Sequence, residues 1–425
     1  MKNMNQTSCG AFSLSRRNFL QLVPMVAAGC VAAPAPRGPK KIAAIVSTYY
    51  QNSHADVIVS RLLETQTLDG KGERLDLVLS SLYTDQVPKT DKSRTLATTH
   101  GFKIYKTVEE ALTLGTGRLA VDGVLLVAEH GNYPVSDTGQ VIYPKRRLFE
   151  EVQRVFRKTG RAVPVFIDKH IADNWTDAKW IYDTAKELGA PLMAGSSLPT
   201  LWRRPIADVP RGARLEEMLA VSYHTLDAYG FHALEMMQCL AERRVGGETG
   251  IRQVQCLEND AVWAAGEQGV YSDELMKEAF TRLERPPKGD WRAQVKNPVL
   301  WVIDYDDGFR ARVLTLNNVV GEWAVAWRER GVTKPVSTCF WTQEARPFMH
   351  FAHLLEGVNQ MFQTGKPAWP AERTLMTSGL LDALLQSKKQ SGKILATNHL
   401  RFAYRTDWNW RQPPEPPKGR PMDGQ

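Results

Sequence analysis

The chain has 425 residues, of which 43% are apolar and 24% are charged, and its formal net charge is +8. This length allows two domains with full hydrophobic cores, and the composition is that of a globular soluble protein. The basic residues are scattered and lie near acidic ones, as around Lys145-Arg146-Arg147. A nucleic-acid-binding protein concentrates them on one face, so we expect no nucleic-acid partner.

Residues 1–39 are interpreted as an export signal followed by a spacer. Paired arginines in Ser15-Arg16-Arg17-Asn18-Phe19-Leu20 precede a weakly apolar run that ends at Ala33, and this arrangement resembles a twin-arginine (Tat) signal. The run is too short to cross a bilayer as a helix. Ala27-Ala28-Gly29-Cys30 resembles a lipoprotein cleavage box, so a membrane tether through lipidated Cys30 and ordinary cleavage after Ala28 both stay open. We expect a periplasmic or otherwise exported protein; a cytosolic protein with a frayed tail is the alternative.

Residues 40–200 alternate short apolar runs with amphipathic segments. This alternation predicts a Rossmann-like, doubly wound parallel sheet with helices on both faces. The predicted strands are Ile42–Val46, Leu75–Leu79, Phe102–Tyr105, Gly123–Val127, Pro164–Ile167 and Pro191–Ala194. The predicted helices are His54–Glu64 with Ser53 as its cap, Thr95–Thr99, Val108–Leu114, Leu148–Lys158 and Asp173–Leu188.

Residues 201–411 have a different pattern, which predicts a C-terminal α+β domain for substrate binding and oligomerisation. Its apolar runs predict an open, largely antiparallel sheet. The strands are Gly250–Glu258, Val299–Ile303, Ala311–Leu316 and Glu322–Arg328, and the helices expected to cover them are Leu226–Leu240, Pro347–Met361 and Glu372–Lys388. The tail at 412–425 is rich in proline and predicts a disordered or surface-draped end.

Polar side chains follow the predicted strands of the first domain. The carboxyl ends of parallel strands meet at one edge of the sheet, where ligands bind, so we expect these side chains to line one crevice, although loops are polar in any case. The residues are Ser47, Thr48, Tyr49 and His54 after the first strand, Ser81 after the second, Glu129 and His130 after the fourth, and Asp168, Lys169 and His170 after the fifth.

The order and spacing of these segments resemble the glucose–fructose oxidoreductase / inositol dehydrogenase (Gfo/Idh/MocA) family. Asp168-Lys169-His170-Ile171-Ala172 is similar to that family's Glu-Lys-Pro motif, and Asp227–Glu235 is similar to its Asp-x-Gly-x-His-x-x-Asp segment. The resemblance places Lys169 at the active-site lysine and His232 at the catalytic histidine. Pro347–Leu384 resembles the family's closing helices.

The resemblance implies an exported oxidoreductase acting on a sugar, polyol or other carbohydrate derivative. Lys169 would polarise a substrate hydroxyl or carbonyl, and His232 would exchange the proton. Hydride would pass to NAD or NADP, held near Ser47, Thr48, Tyr49, Ser81, Glu129 and His130. Open sheets in this family commonly pair face to face, so we expect a homo-oligomer. Tat export fits an enzyme that folds around a nicotinamide cofactor before export, and it fits a metalloenzyme loaded in the cytoplasm equally well.

Three departures from the family pattern leave other functions open. Ser47–His54 stands where the glycine-rich dinucleotide turn belongs and contains no glycine, His170 replaces the proline after Lys169, and Asp227 lies five residues before His232 instead of four.

A lyase or hydrolase of modified sugars, without NAD(P), is therefore one alternative. It would work by acid–base chemistry or through a divalent ion such as Zn²⁺ held by His54, Glu129, His130 and His170. A non-catalytic carbohydrate-binding protein is another. The enzymatic hypotheses require that Tyr49, Glu129, Lys169 and His232 converge on one cavity.

Overall fold

The computed structural model describes residues 38–415 of the chain. Within them, the first six strands form a parallel sheet in the order β3-β2-β1-β4-β5-β6. The chain reverses its direction of winding between β1 and β4, which is the point where parallel sheets bind ligands. The strands are β1 (Lys40–Val46), β2 (Leu77–Thr84), β3 (Lys103–Ile104), β4 (Gly123–Val127), β5 (Val165–Asp168) and β6 (Leu192–Gly195).

Helices cover both faces of this sheet, as the periodicity predicts. The first one starts where Ser53 accepts a hydrogen bond from the Asp56 amide, so the predicted cap is confirmed. Thr107 and Asn174 cap two later helices in the same way. The helices are α1 (His54–Leu63), α2 (Ser93–His100), α3 (Val108–Thr113), α4 (Lys145–Thr159) and α5 (Trp175–Glu187).

The second lobe is built on an eight-stranded sheet in the order β14-β9-β10-β11-β8-β12-β13-β7. Its strand pairs are antiparallel except β8 with β11, which confirms the largely antiparallel sheet. The strands are β7 (Trp202–Arg204), β8 (Leu215–Ser222), β9 (Ile251–Glu258), β10 (Lys296–Tyr305), β11 (Arg310–Asn317), β12 (Trp323–Glu329), β13 (Val336–Trp341) and β14 (Leu395–Ala396).

Five helices belong to this later part of the chain. A π-helical turn at Leu226–Gly230 leads into the first of them, which packs on the inner face of the sheet together with the last. The helices are α6 (Phe231–Ala241), α7 (Asp260–Glu267), α8 (Asp273–Phe280), α9 (His350–Thr364) and α10 (Ala371–Lys389).

This lobe differs from the prediction in several features, beginning with β7, β8, β13 and β14, which the sequence analysis does not give. Helix α9 does not cover the second sheet, because its apolar stripe packs on β1 and α1 in the core of the first lobe. The outer face of the second sheet is covered by α7 and α8, which the sequence analysis does not predict. Helices α7 and α8 thus lie on the face through which two such sheets would pair, and the homo-oligomer stays a prediction.

The predicted signal, including Cys30, lies outside the described residues, as does the tail beyond residue 415. The described end of the tail is held on the protein surface, since Trp202 Nε1 donates to the Pro414 carbonyl at 2.6 Å. Between residues 38 and 415, the helices lack the combination of length and apolar composition that a membrane crossing requires.

Candidate functional site

A cavity of about 320 Å³ lies where the carboxyl ends of β1, β4 and β5 face the second lobe. This size is at the small end of the range for ligand pockets. The wall from the first lobe includes Asn52, His54, Glu129, His130, Tyr143 and Lys169, together with His350 and Phe351 of α9, and the opposite wall includes Tyr229, His232, Trp323 and Glu344. Of the four residues required to converge, the structure brings Glu129, Lys169 and His232 together.

The centre of the first-lobe wall is a buried carboxylate between two lysines. Glu129 Oε1 accepts from Lys145 Nζ at 2.6 Å, and its Oε2 lies 3.2 Å from Lys169 Nζ. Lys145 Nζ also donates to the backbone carbonyls of Asp168 and His170, at 3.2 and 2.9 Å. All three charged side chains are at most 9% exposed, so water screens their attraction little.

The charges of this cluster are fixed by mutual contact. Burial alone would raise the pKa of Glu129, but Lys145 and Lys169 hold it well below its usual range. Burial alone would lower the pKa of Lys169, but Glu129 and Asp168 raise it above its ordinary value. Lys169 is therefore a cation at neutral pH, and it can stabilise negative charge on a substrate oxygen.

The chain leaves β4 and β5 through residues in left-handed backbone conformations. His130 has φ 68° and Lys169 has φ 56°, values that side chains other than glycine adopt at a cost. The Lys169 amide is bound to the Gly195 carbonyl at 3.1 Å, which holds this turn. Strained residues of this kind concentrate at functional sites.

Four imidazoles line the cavity: His54, His130, His232 and His350. Burial lowers the pKa of His130 to about 4 and that of His350 to about 3. Burial, with the Lys169 charge, also places the pKa of His232 well below its ordinary value. These three rings are therefore neutral at physiological pH.

Aromatic rings from the second lobe surround His232. Tyr229 stacks on Trp323 at 5.3 Å, and the His232 ring lies edge-on to both. Asp227 does not contact His232: its Oδ2 accepts from the Val141 amide, and its Oδ1 lies 3.9 Å from His170 Nε2. The displaced spacing in the sequence therefore corresponds to a different partner for this carboxylate.

Several residues predicted to hold a cofactor do not reach the cavity, which corrects that expectation. Tyr49 is fully buried in the core and its hydroxyl bonds Ser60 Oγ at 2.7 Å. Ser47 Oγ donates to the Glu129 carbonyl, and Thr48 is buried beside it. Ser81 lies within β2, which runs to Thr84, and donates to the Ala111 carbonyl. The predicted end of the second strand was five residues too early.

The metal site of His54, Glu129, His130 and His170 is not formed. Glu129 is taken by two lysines, His54 Nδ1 is held by Asp168, and His170 is buried behind the wall with its Nδ1 2.9 Å from Lys145 Nζ. In residues 38–415, no three or more His, Cys, Asp or Glu side chains are grouped so as to hold a metal ion. The side chains are committed to each other instead.

The turn between β1 and α1 does not fit a dinucleotide bound with its pyrophosphate at the helix N-terminus, which is the usual mode. In this chain the buried Asp56 carboxylate lies at the helix N-terminus, in the place of the pyrophosphate. It accepts hydrogen bonds from the Asn52 amide (2.9 Å), Ser60 Oγ (3.0 Å), Lys92 Nζ (2.9 Å) and Arg346 Nη1 (2.7 Å). Although burial would raise its pKa, these partners lower it below the ordinary value.

Three further amides of this turn are also engaged. Ser53 N donates to the Tyr50 carbonyl, His54 N to His130 Nδ1, and Asp56 N to Ser53 Oγ. These donors, like the Asn52 amide, are therefore satisfied within the chain and are not free for a phosphate.

The ends of β2 and β4 are bridged as well. Tyr133 donates to Asp85 Oδ2 at 2.8 Å, and Gln86 exchanges two hydrogen bonds with the backbone of Asn132. Arg147 pairs with the other oxygen of Asp85 at 2.6 Å. These contacts close the crevice along which the rest of a dinucleotide extends in Rossmann folds.

The most important residue that the sequence analysis missed is Lys145. It was interpreted as part of a solvated basic surface, yet it is 1% exposed and bonds Glu129. The signal was its position three and four residues before the buried Leu148 and Phe149, which puts it on the apolar stripe of α4. The Asp168–His54 pair and the Asp56–Arg346 pair were also missed.

Comparison with solved structures shows the same fold in dehydrogenases. GenD2 from gentamicin A biosynthesis, in complex with NAD, is 15% identical with TM-score 0.55, over 86% of this chain and 100% of that one. A probable dehydrogenase from Thermotoga maritima is 13% identical with TM-score 0.53, over 85% and 99%.

Apo scyllo-inositol dehydrogenase from Lactobacillus casei is 9% identical with TM-score 0.53, over 84% of this chain and 98% of that one. No protein-family model and no curated protein sequence matches this chain. The likenesses confirm the two-lobed fold implied by the resemblance to inositol dehydrogenases.

Proposed function

We propose that this protein is an enzyme that performs acid–base chemistry, without net oxidation or reduction, on a hydroxylated carbonyl compound of carbohydrate type. The observation that carries the proposal is a cavity with a fixed cation, Lys169, beside neutral imidazoles, on a scaffold whose dinucleotide position is filled by Asp56. Such a constellation serves proton removal next to a carbonyl, and therefore isomerisation or elimination.

Lys169 is assigned to the carbonyl oxygen. Its ammonium group lies 3.2 Å from Glu129 Oε2, and the residue lines the cavity. When a proton leaves the neighbouring carbon, the electron pair moves to that oxygen, and a charge fixed in advance stabilises it without reorganisation. His232, neutral and on the opposite wall, can exchange a proton with the substrate.

The cavity wall supports a carbohydrate ligand. Its volume of about 320 Å³ suits a molecule of monosaccharide size. Tyr229, Trp323 and Phe351 offer aromatic surface to the apolar face of a sugar ring, while Asn52 and Glu344 offer polar groups to its hydroxyls.

Proton exchange with D₂O tests this function before the product is known. The purified full chain is incubated in D₂O with ketoses, aldoses and uronic acids, and ¹H NMR follows the signal of the proton beside the carbonyl. We expect exchange or elimination for at least one compound, and a loss of about a hundredfold or more in K169M. K158M, on an exposed lysine, is the matched control. Absence of exchange with every compound, or an unchanged K169M, contradicts the proposal.

A dinucleotide-dependent oxidoreductase is the second candidate, favoured by the likeness to GenD2 in its complex with NAD. It predicts a nicotinamide absorbance band in the purified protein, or reduction of added NAD or NADP on addition of a sugar or polyol. The filled turn at Asp56 favours the first candidate, and these two measurements distinguish them.

We further propose that the protein acts outside the cytoplasm. The support is the twin-arginine pattern around Arg16 and Arg17, followed by the small residues before Cys30. Metabolic labelling with a fatty acid, in the native chain and in C30A, would separate a lipid-anchored protein from one that is cleaved and released.

A further inference from the structure

Among the four imidazoles of the cavity, the described contacts put a carboxylate on one alone. His54 Nδ1 lies 2.6 Å from Asp168 Oδ2. By contrast, His130 Nδ1 faces the His54 amide at 3.4 Å, and the Nδ1 atoms of His232 and His350 are buried with no hydrogen-bond partner among residues 38–415. The environment thus separates His54 from the other three rings.

The side-chain oxygens of Asp168 have His54 as their one hydrogen-bond partner within residues 38–415. The Asp168 side chain is 0% exposed, and its second oxygen, Oδ1, has no hydrogen-bond partner within the described part of the chain. A buried carboxylate that accepts from Nδ1–H fixes the tautomer, so the lone pair of His54 lies on Nε2.

The His54 ring is also fixed in orientation and open to the cavity. It is packed edge-on between His130 and Phe351, with ring centroids 5.1 and 5.0 Å away. Its side chain is 14% exposed and lines the cavity wall. It begins α1, directly after its cap Ser53, and Asp168 ends β5, so rigid elements hold both partners.

We infer that His54 is the base that removes the substrate proton and that Asp168 is its positioning residue. The inference rests on the proposed function and names the group that performs it. His54 Nε2 takes the proton from the carbon beside the carbonyl, and the electron pair of that bond forms a C=C bond while the carbonyl oxygen, facing Lys169, becomes negative. Return of that proton to the former carbonyl carbon, with transfer of the hydroxyl proton of the deprotonated carbon to the former carbonyl oxygen, completes an isomerisation. Alternatively, the electron pair on the oxygen re-forms the carbonyl, a C=C bond forms to the β-carbon, and the β-hydroxyl leaves as water with the proton from His54, which completes an elimination.

The neighbouring rings fit supporting roles. His130 and His232 are neutral at physiological pH, since burial lowers the pKa of each. Asp168 also stabilises the imidazolium that forms when His54 takes the proton, because it places a negative charge at hydrogen-bond distance.

The first arm of the test needs no substrate. In the full chain with ¹⁵N-labelled histidine, imidazole shifts report which nitrogen carries the proton, and H54Q identifies the His54 signals by their loss. We expect protonated Nδ1 and unprotonated Nε2 in the wild type, and a mixture of tautomers in D168N. A His54 ring protonated on Nε2 in the wild type overturns the inference.

The second arm uses the D₂O exchange assay with the compound that the wild type exchanges fastest. We expect a fall of about 10²–10⁴-fold in H54Q and a smaller fall in D168N, with folding checked by circular dichroism. H100Q, on an exposed histidine of α2, is the matched control and keeps the wild-type rate. If H54Q exchanges the proton as fast as the wild type, the inference about His54 is overturned while the proposed function stands. If the wild type exchanges no proton, the proposed function is overturned and this inference with it.

Discussion

Asp56→Asn should destabilise the protein by about 2–3 kcal/mol. The Asp56 side chain is 0% exposed and pairs with Lys92 and Arg346 at 2.9 and 2.7 Å. Removing one member of a buried ion pair costs about 3–5 kcal/mol, because the other member stays desolvated. Lys92 and Arg346 keep 31% and 29% of their side-chain surfaces exposed, so water can solvate them in part, and we reduce the figure to about 2–3 kcal/mol accordingly.

Urea unfolding of the full chain measures this difference as the change in extrapolated free energy of unfolding. The matched control is D183N, since Asp183 is 52% exposed and pairs with Lys179 along one helix, where the loss should stay below about 0.5 kcal/mol. If D56N is no less stable than D183N, the carboxylate does not hold the α1 turn, and the argument against a pyrophosphate at that position fails.

The same variant carries a pH signature. The folded pKa of Asp56 lies below its ordinary value of 3.8, so its contribution is complete above that pH and is lost as the pH falls through the folded pKa. The stability difference between wild type and D56N should therefore be constant near neutrality and should close below about pH 4. A difference that closes between pH 5 and 7 would contradict the assignment.

Three further variants test the cluster behind the cavity. K145M should lose about 3 kcal/mol in urea unfolding, because it leaves the buried Glu129 with one cation. H170N should make the fall in free energy of unfolding toward low pH less steep. Burial lowers the pKa of His170 in the folded protein from 6.5 to about 3. The contribution of the neutral ring to stability is therefore present above pH 6.5 and is lost as the pH falls toward 3, at roughly 1 kcal/mol per pH unit. G230A should cost about 1–3 kcal/mol, because an added Cβ would clash with the buried Trp301 ring.

Each of the three has a control. R146M removes a partly exposed cation next in sequence to Lys145, and it should cost less than about 1 kcal/mol. H100N replaces an exposed histidine and is the control for H170N. G321A should be close to neutral, since nothing lies within 4 Å of the added Cβ. Equal losses in a variant and its control would show that the burial argument is wrong at that position.

The fold of the first lobe could be predicted because its signals are local. Capping by Ser53, and apolar runs such as Gly123–Val127, depend on neighbours in the sequence, and the structure confirms both. The second lobe was harder, because α7 and α8 are eight residues each and pack on a sheet that includes strands as distant in the sequence as β8 and β12. Their burial is a tertiary property that periodicity over eight residues does not specify.

The sequence predicts where on the sheet the candidate site lies, but not which side chains line its cavity. Topology alone puts the residues after β4 and β5 at one edge, so Glu129 and Lys169 could be paired from the sequence. Which way a side chain turns after a strand depends on the backbone angle there. The left-handed φ of Lys169 directs it to the cavity wall, whereas Tyr49 turns into the core; neither residue type indicates this.

The ion pair between Arg346 and Asp56 links the α1 turn to the segment between β13 and α9. Arg346 lies in the segment between β13 and α9, and that segment also supplies Glu344 and Phe348 to the cavity wall. A phosphate at the α1 turn would have to displace the carboxylate and would release this segment from its anchor. The carboxylate therefore makes two kinds of contact at once: it accepts from the Asn52 amide in the α1 turn, and it pairs with Arg346 in the segment that lines the cavity.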